Sequence, residues 1–85
     1  MQLTILYFAR LREAVGWARE IVDPPRQVQT LGQLRGWLIA RGDPWAQAFT
    51  LVQPVRIALD QAVGGDETPL HEGAEVAFFP PVTGG

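Results

Sequence analysis

Apolar positions come in two rhythms along this chain, and each rhythm predicts a kind of element. In residues 2–8 (QLTILYF), Leu3, Ile5 and Tyr7 fall on one side of an extended chain and Leu6 and Phe8 on the other. This pattern predicts a central strand partly covered on both faces. Phe8, Leu11 and Val15 then recur at helical spacing, with Gly16 placed as the left-handed residue that stops a short helix. Residues 17–22 (WAREIV) read as a second strand, ended by Asp23-Pro24-Pro25 because proline has no N–H to give a ladder.

A second helix has clearer start and stop signals. Thr30-Leu31-Gly32-Gln33 fits a capping box, Leu31, Leu34 and Leu38 form the buried stripe, and Gly42 ends it. Asp43-Pro44 predicts another short helix with Asp43 as its N-cap, Pro44 in its first turn, and Trp45 and Phe49 facing inward. Val55, Ile57 and Leu59 alternate with Arg56, Ala58 and Asp60, as in a strand with one buried face. Gly64-Gly65-Asp66 reads as a turn, Gly73 closes a loop, and residues 75–79 form a last strand with Val76 and Phe78 inward and Phe79 outward. Helices on one face of a mixed sheet make an α+β protein, and a β-grasp arrangement fits the element order best. Residues 1–79 would form that domain and residues 80–85 a tail.

Composition narrows the function classes. Eighty-five residues suffice for one modest core. There is no cysteine, which excludes disulfides, thiolate zinc sites and cysteine-ligated clusters. No metal site is expected. A net charge of −2, from seven arginines against nine acids, provides no basic stripe for nucleic acid. No apolar run approaches the ~20 residues of a membrane span, and the apolar start lacks the marks of a leader. The cytoplasm is therefore the expected compartment. Lysine is absent; lineage bias explains that, and so does protection of an activated C-terminus from attack by the chain's own amines.

The chemistry concentrates in the last residues, Pro80-Pro81-Val82-Thr83-Gly84-Gly85. Two prolines hold the chain extended, and six extended residues reach up to roughly 20 Å. Gly84 and Gly85 carry no β-carbon, so such a tip fits a channel too narrow for side chains. Chance places two glycines at a given pair of positions only about half a percent of the time, at a usage of ~7%. The terminal carboxylate, with a pKa of roughly 3.5, is a poor electrophile until a partner activates it.

The segment Ala74-Glu75-Val76-Ala77-Phe78-Phe79-Pro80-Pro81-Val82-Thr83-Gly84-Gly85 resembles the C-terminal signature of molybdopterin synthase small subunits. Leu6-Tyr7-Phe8-Ala9-Arg10-Leu11-Arg12-Glu13 is similar to that family's first strand and helix, and Asp43-Pro44-Trp45-Ala46 and Leu59-Asp60-Gln61 fall at related segments. Asp60 stands where the family often has asparagine. The resemblance implies a ubiquitin-like sulfur carrier, not an enzyme by itself and with no bound cofactor. An ATP-consuming adenylyltransferase would activate Gly85, a sulfur donor would convert it to a thiocarboxylate, and the synthase large subunit would receive the tail within a heterotetramer. There the sulfur would pass to a cyclic pyranopterin precursor. Phe79 and Val63 match positions that contact partners, along with Pro80, Pro81, Val82 and Thr83 of the tail. Arg12 matches a position that pairs with partner acids, although a solvated helix arginine is an equal reading. Two other functions stay open: sulfur carriage for thiamine or cysteine synthesis, and protein modification through an isopeptide bond.

Overall fold

Leu3, Ile5 and Tyr7 repeat every second residue, so a pleated strand places all three on one side, where they are almost wholly buried. They form β1 (Leu3–Tyr7), the strand on which the rest of the sheet is built. The computed structural model describes residues 1–81. The elements that follow are α1 (Ala9–Val15), β2 (Arg19–Val22), α2 (Leu31–Ala40), α3 (Trp45–Leu51), β3 (Arg56–Leu59), β4 (Ala62–Gly64) and β5 (Glu75–Phe79).

The sheet runs in the order β2-β1-β5-β3-β4. Its two central strands, β1 and β5, are parallel, with Tyr7 opposite Phe78, and every other pairing is antiparallel. All three helices pack on one face, where Leu11, Val15, Leu31, Leu34, Leu38 and Phe49 meet the inward residues of the strands. This is the β-grasp arrangement that the element order suggests. Because β1 and β5 are parallel, both end on the same side, and Phe8 N–H donates to the Phe78 carbonyl there at 3.1 Å.

Local signals account for the helix ends. Gly16 takes φ 91° and its N–H reaches the Arg12 carbonyl, closing α1. Thr30 Oγ1 accepts the Gln33 N–H at 3.2 Å at the start of α2. The return contact differs from a capping box, since Gln33 Oε1 accepts the N–H of Gln29, one residue before Thr30.

Several expectations need correction. β1 is covered on one face only; among the described residues no helix lies over the other, and Thr4 and Leu6 stay partly exposed. Phe8 does not join the α1 stripe. It occupies the N-cap position in an extended conformation, and its side chain points to solvent. Residues 17 and 18 lie outside β2, and Trp17 is 51% exposed and edge-on to Trp45. Asp43 does not cap α3. Pro44 holds the N-cap position, and backbone carbonyls of Gly42 and Pro44 take the Ala46 and Ala48 N–H groups. The turn expected at Gly64-Gly65-Asp66 begins later, because Gly64 ends strand β4. The reversal between β3 and β4 is made by Asp60 and Gln61, whose φ values of 48° and 73° suit a two-residue hairpin turn. Finally, Ala58 is buried along with Ile57, so β3 does not alternate cleanly.

Candidate functional site

Register determines which side chains share the uncovered face of the sheet. Directly paired residues point the same way, so the outward row through Leu6 runs across four further positions. Leu6 pairs with Ala77, Ala77 with Ala58, and Ala58 with Val63, while Arg19 flanks Leu6 on β2. One step along β5 lies Phe79, opposite Arg56 of β3. The result is an apolar row across the strands, with Phe79 beside it at the end where β5 gives way to Pro80 and Pro81. Val63 is 67% exposed, and Phe79, Pro80 and Pro81 are each partly buried. Phe78, one position before Phe79, faces the core at 0% exposure, as its place in the alternation requires.

The sequence-derived candidates divide accordingly. Phe79 and Val63 lie on the same face, joined through β3, and Pro80 and Pro81 follow directly from it. Arg12 is exposed on α1 and is not part of that row of strand residues. Val82, Thr83, Gly84 and Gly85 lie outside the described residues. Leu6, Ala77, Ala58, Arg19 and Arg56 were not singled out from sequence. Leu6 was visible as an apolar residue on the second side of β1, but its neighbours on that face follow only from register.

Two polar clusters lie elsewhere. On the helix side, Tyr7 donates to Glu20 Oε2 at 2.7 Å, Trp45 Nε1 donates to the same oxygen at 3.1 Å, and Arg41 donates to Glu20 Oε1 at 2.9 Å. The Arg41 guanidinium also lies 3.7 Å over the Trp45 ring. Burial, then the hydrogen bond to Glu20, pushes the Tyr7 phenol above its ordinary range, so it stays a donor. This cluster joins β1, β2, α2 and α3, and it reads as structural.

The second cluster ties the β3–β4 turn to the start of β5. Asp60 Oδ1 accepts the Glu75 N–H at 2.9 Å, and Oδ2 lies 2.6 Å from His71 Nε2. His71 Nδ1 lies 3.1 Å from the Glu72 carbonyl oxygen. Both ring nitrogens therefore face acceptors, an arrangement completed only by the doubly protonated ring. The hydrogen bond to Asp60 raises the His71 pKa from its ordinary 6.5, and the Glu75 N–H, then His71, lower that of Asp60 from 3.8.

The sign follows for each group. The His71 contribution is complete below 6.5 and is lost as pH rises through the raised folded value. The Asp60 contribution is complete above 3.8 and is lost as pH falls through the lowered folded value. The clasp is thus whole between 3.8 and 6.5. As the only histidine, His71 has an unambiguous proton NMR signal. Its titration midpoint is expected above 6.5 in the wild type and closer to 6.5 in Asp60→Asn. A wild-type midpoint at or below 6.5 would contradict the geometry.

A cavity of about 290 Å³ on the helix side is lined by Arg35, Ile39, Phe49, Gln53, Pro54 and Val55. Its one charged group, Arg35, is bound to Asp66 at 2.7 Å. Among the described residues, no group of three histidine or acidic side chains is placed to hold a metal ion, and no helix is long and apolar enough to cross a membrane.

Comparison with known proteins agrees with this architecture. The model of the ThiS family matches residues 5–85. The "Molybdopterin synthase sulfur carrier subunit" of Escherichia coli is 37% identical over 98% of this chain and 99% of its own. The Haemophilus influenzae protein of the same name is 35% identical, with the same coverage. Among solved structures, SAMP1 from Haloferax volcanii superposes with a TM-score of 0.77 over the whole of both chains at 22% identity, which is a likeness of fold.

Proposed function

The chain belongs to the ThiS family, and from that premise we propose that it carries sulfur to molybdopterin synthase. Likeness over almost the full length to two bacterial relatives named for that role is the observation that carries this reading. The open sheet face supports it, because an apolar surface leading directly into Pro80-Pro81 suits a carrier that must dock while it extends a reactive end.

The domain of residues 1–79 docks, and residues 80–85 deliver. An adenylyltransferase partner consumes ATP to convert the Gly85 carboxylate to an acyl-adenylate. A sulfur donor then displaces AMP and leaves a thiocarboxylate. Leu6, Ala77, Phe79 and Val63 seat the carrier on the synthase large subunit, with Arg12 contributing at the edge. Pro80, Pro81, Val82 and Thr83 bridge to the active site, and Gly84 and Gly85 occupy its narrow end. Catalytic side chains belong to the large subunit, and the assembly is a heterotetramer. This chain supplies the sulfur atom as a co-substrate and binds no cofactor of its own.

The experiment is to incubate the purified chain with the adenylyltransferase, ATP and a sulfur donor, then weigh it. The expected product has one oxygen of the Gly85 carboxylate replaced by sulfur. A chain of unchanged mass, with an authentic family carrier converted in parallel, would refute the reading.

A further inference from the structure

All seven basic side chains other than His71 are arginines, and they divide into two groups. Arg35 and Arg41 are bonded to Asp66 and Glu20. Arg10, Arg12, Arg19, Arg26 and Arg56 make no ion pair among the described residues. Arg26 lies in the loop between β2 and α2. The other four gather where β1 and β5 end: Arg10 and Arg12 on the helix that follows β1, Arg19 opposite Leu6, and Arg56 opposite Phe79. Glu13 of α1 is the exposed acid nearest to them in sequence.

Carboxylates gather at the opposite end of the same strands. Asp23 holds the Met1 amino group at 3.1 Å, Glu72 accepts the Gln2 N–H, and Asp60 accepts the Glu75 N–H. A chain of net charge −2 is therefore basic at the end that leads into Pro80-Pro81 and acidic at the other.

Arg19 and Arg56 stand out within this pattern because they share the outward face with the apolar row. Arg19 lies beside Leu6, and Arg56 lies beside Phe79 on the other side of β5. We propose that these two arginines frame the docking face and engage carboxylates on an acidic rim of the partner's surface. The inference rests on the carrier reading above and adds the chemistry of the surface that receives it. An apolar row gives affinity with little direction, whereas one charge at its β2 end and a second beside Phe79 set rotation and raise the encounter rate. A guanidinium suits this role, since its planar fork matches a carboxylate through two hydrogen bonds. A polyanionic nucleic acid fits less well, because it would leave the apolar row uncovered and face the net negative charge of the chain.

The test measures association rates with the purified synthase large subunit at low and high salt. Steering of this kind raises on-rates by about 10- to 1,000-fold and fades as the screening length falls from ~30 Å at 0.01 M to ~3 Å at 1 M. The double variant Arg19→Glu/Arg56→Glu is expected to associate at least about tenfold more slowly at low salt, with the difference shrinking at high salt. Arg26→Glu, off the face, should associate nearly as the wild type does. Should the glutamate pair not fold, Arg19→Gln/Arg56→Gln carries the same test and should also be slower.

Equal rates for wild type and face variant at low salt would overturn the proposal. So would an Arg26→Glu effect as large per charge as the face effect, because net charge alone would then explain it. Failure of the wild type to bind the large subunit at all would refute the carrier reading itself, and this inference with it.

Discussion

Deleting Gly85, or adding one residue after it, is expected to abolish sulfur delivery and leave the melting temperature almost unchanged. On the proposed function the reacting group is the terminal carboxyl, and an added residue would move it by about 3.3–3.6 Å along an extended chain. A displacement of only ~1 Å can lower a rate by about a hundredfold. Stability is expected to depend on other residues: among the described residues the buried core ends at Phe78, and neither Pro80 nor Pro81 belongs to it. The check is product formation and a thermal melt on the same purified variants. Normal delivery by an extended chain shown by mass to be untrimmed would contradict the expectation.

The second large effect separates two adjacent phenylalanines. Phe78 is wholly buried, nearly parallel to Tyr7 at 6.1 Å and edge-on to Phe49 at 5.1 Å. Phe78→Ala is expected to cost ~3–5 kcal/mol, much of the 5–15 kcal/mol that typically holds a domain together. Phe79 lies on the open face, so Phe79→Ala should cost clearly less folding stability. It should instead weaken binding to the large subunit by at least ~1 kcal/mol. Denaturant melts and a binding titration on both variants decide the matter. A larger stability loss for Phe79→Ala than for Phe78→Ala would reverse the assignment of faces.

The architecture was largely legible because its determinants are local. Alternation in β1 and β5, the Leu31–Leu34–Leu38 stripe, and the stops at Gly16 and Gly42 each involve residues a few positions apart. Failures occurred where a tertiary arrangement decided the outcome. Leu6 suggests a second covering layer, but the described residues place none on the open face. Strand β4 is not legible in the sequence because three residues, Ala62, Val63 and Gly64, are too few to show a period, and Gly64 reads as a turn. With β4 missed, Val63 entered only through family resemblance, and Leu6, Ala77, Ala58, Arg19 and Arg56 could not be joined into a face without the register. The Asp60–His71 contact is likewise unreadable from spacing, because β3 and the loop before β5 meet only in the folded chain. The tail was the converse case. Its expected chemistry rests on six residues alone, since prolines and glycines restrict or free the backbone whatever surrounds them, and residues 82–85 lie outside the described ones.

In the proposed function, sulfur travels on the C-terminus of this chain. The most direct test is a single-turnover transfer, with the isolated thiocarboxylate form of the chain mixed with the synthase large subunit and the cyclic pyranopterin precursor. The expected result is a dithiolene-bearing product, one for every two chains that give up their sulfur and return to an ordinary Gly85 carboxylate. Recovery of the chain with its sulfur intact and no pterin product, in a reaction where an authentic carrier delivers, would contradict the account.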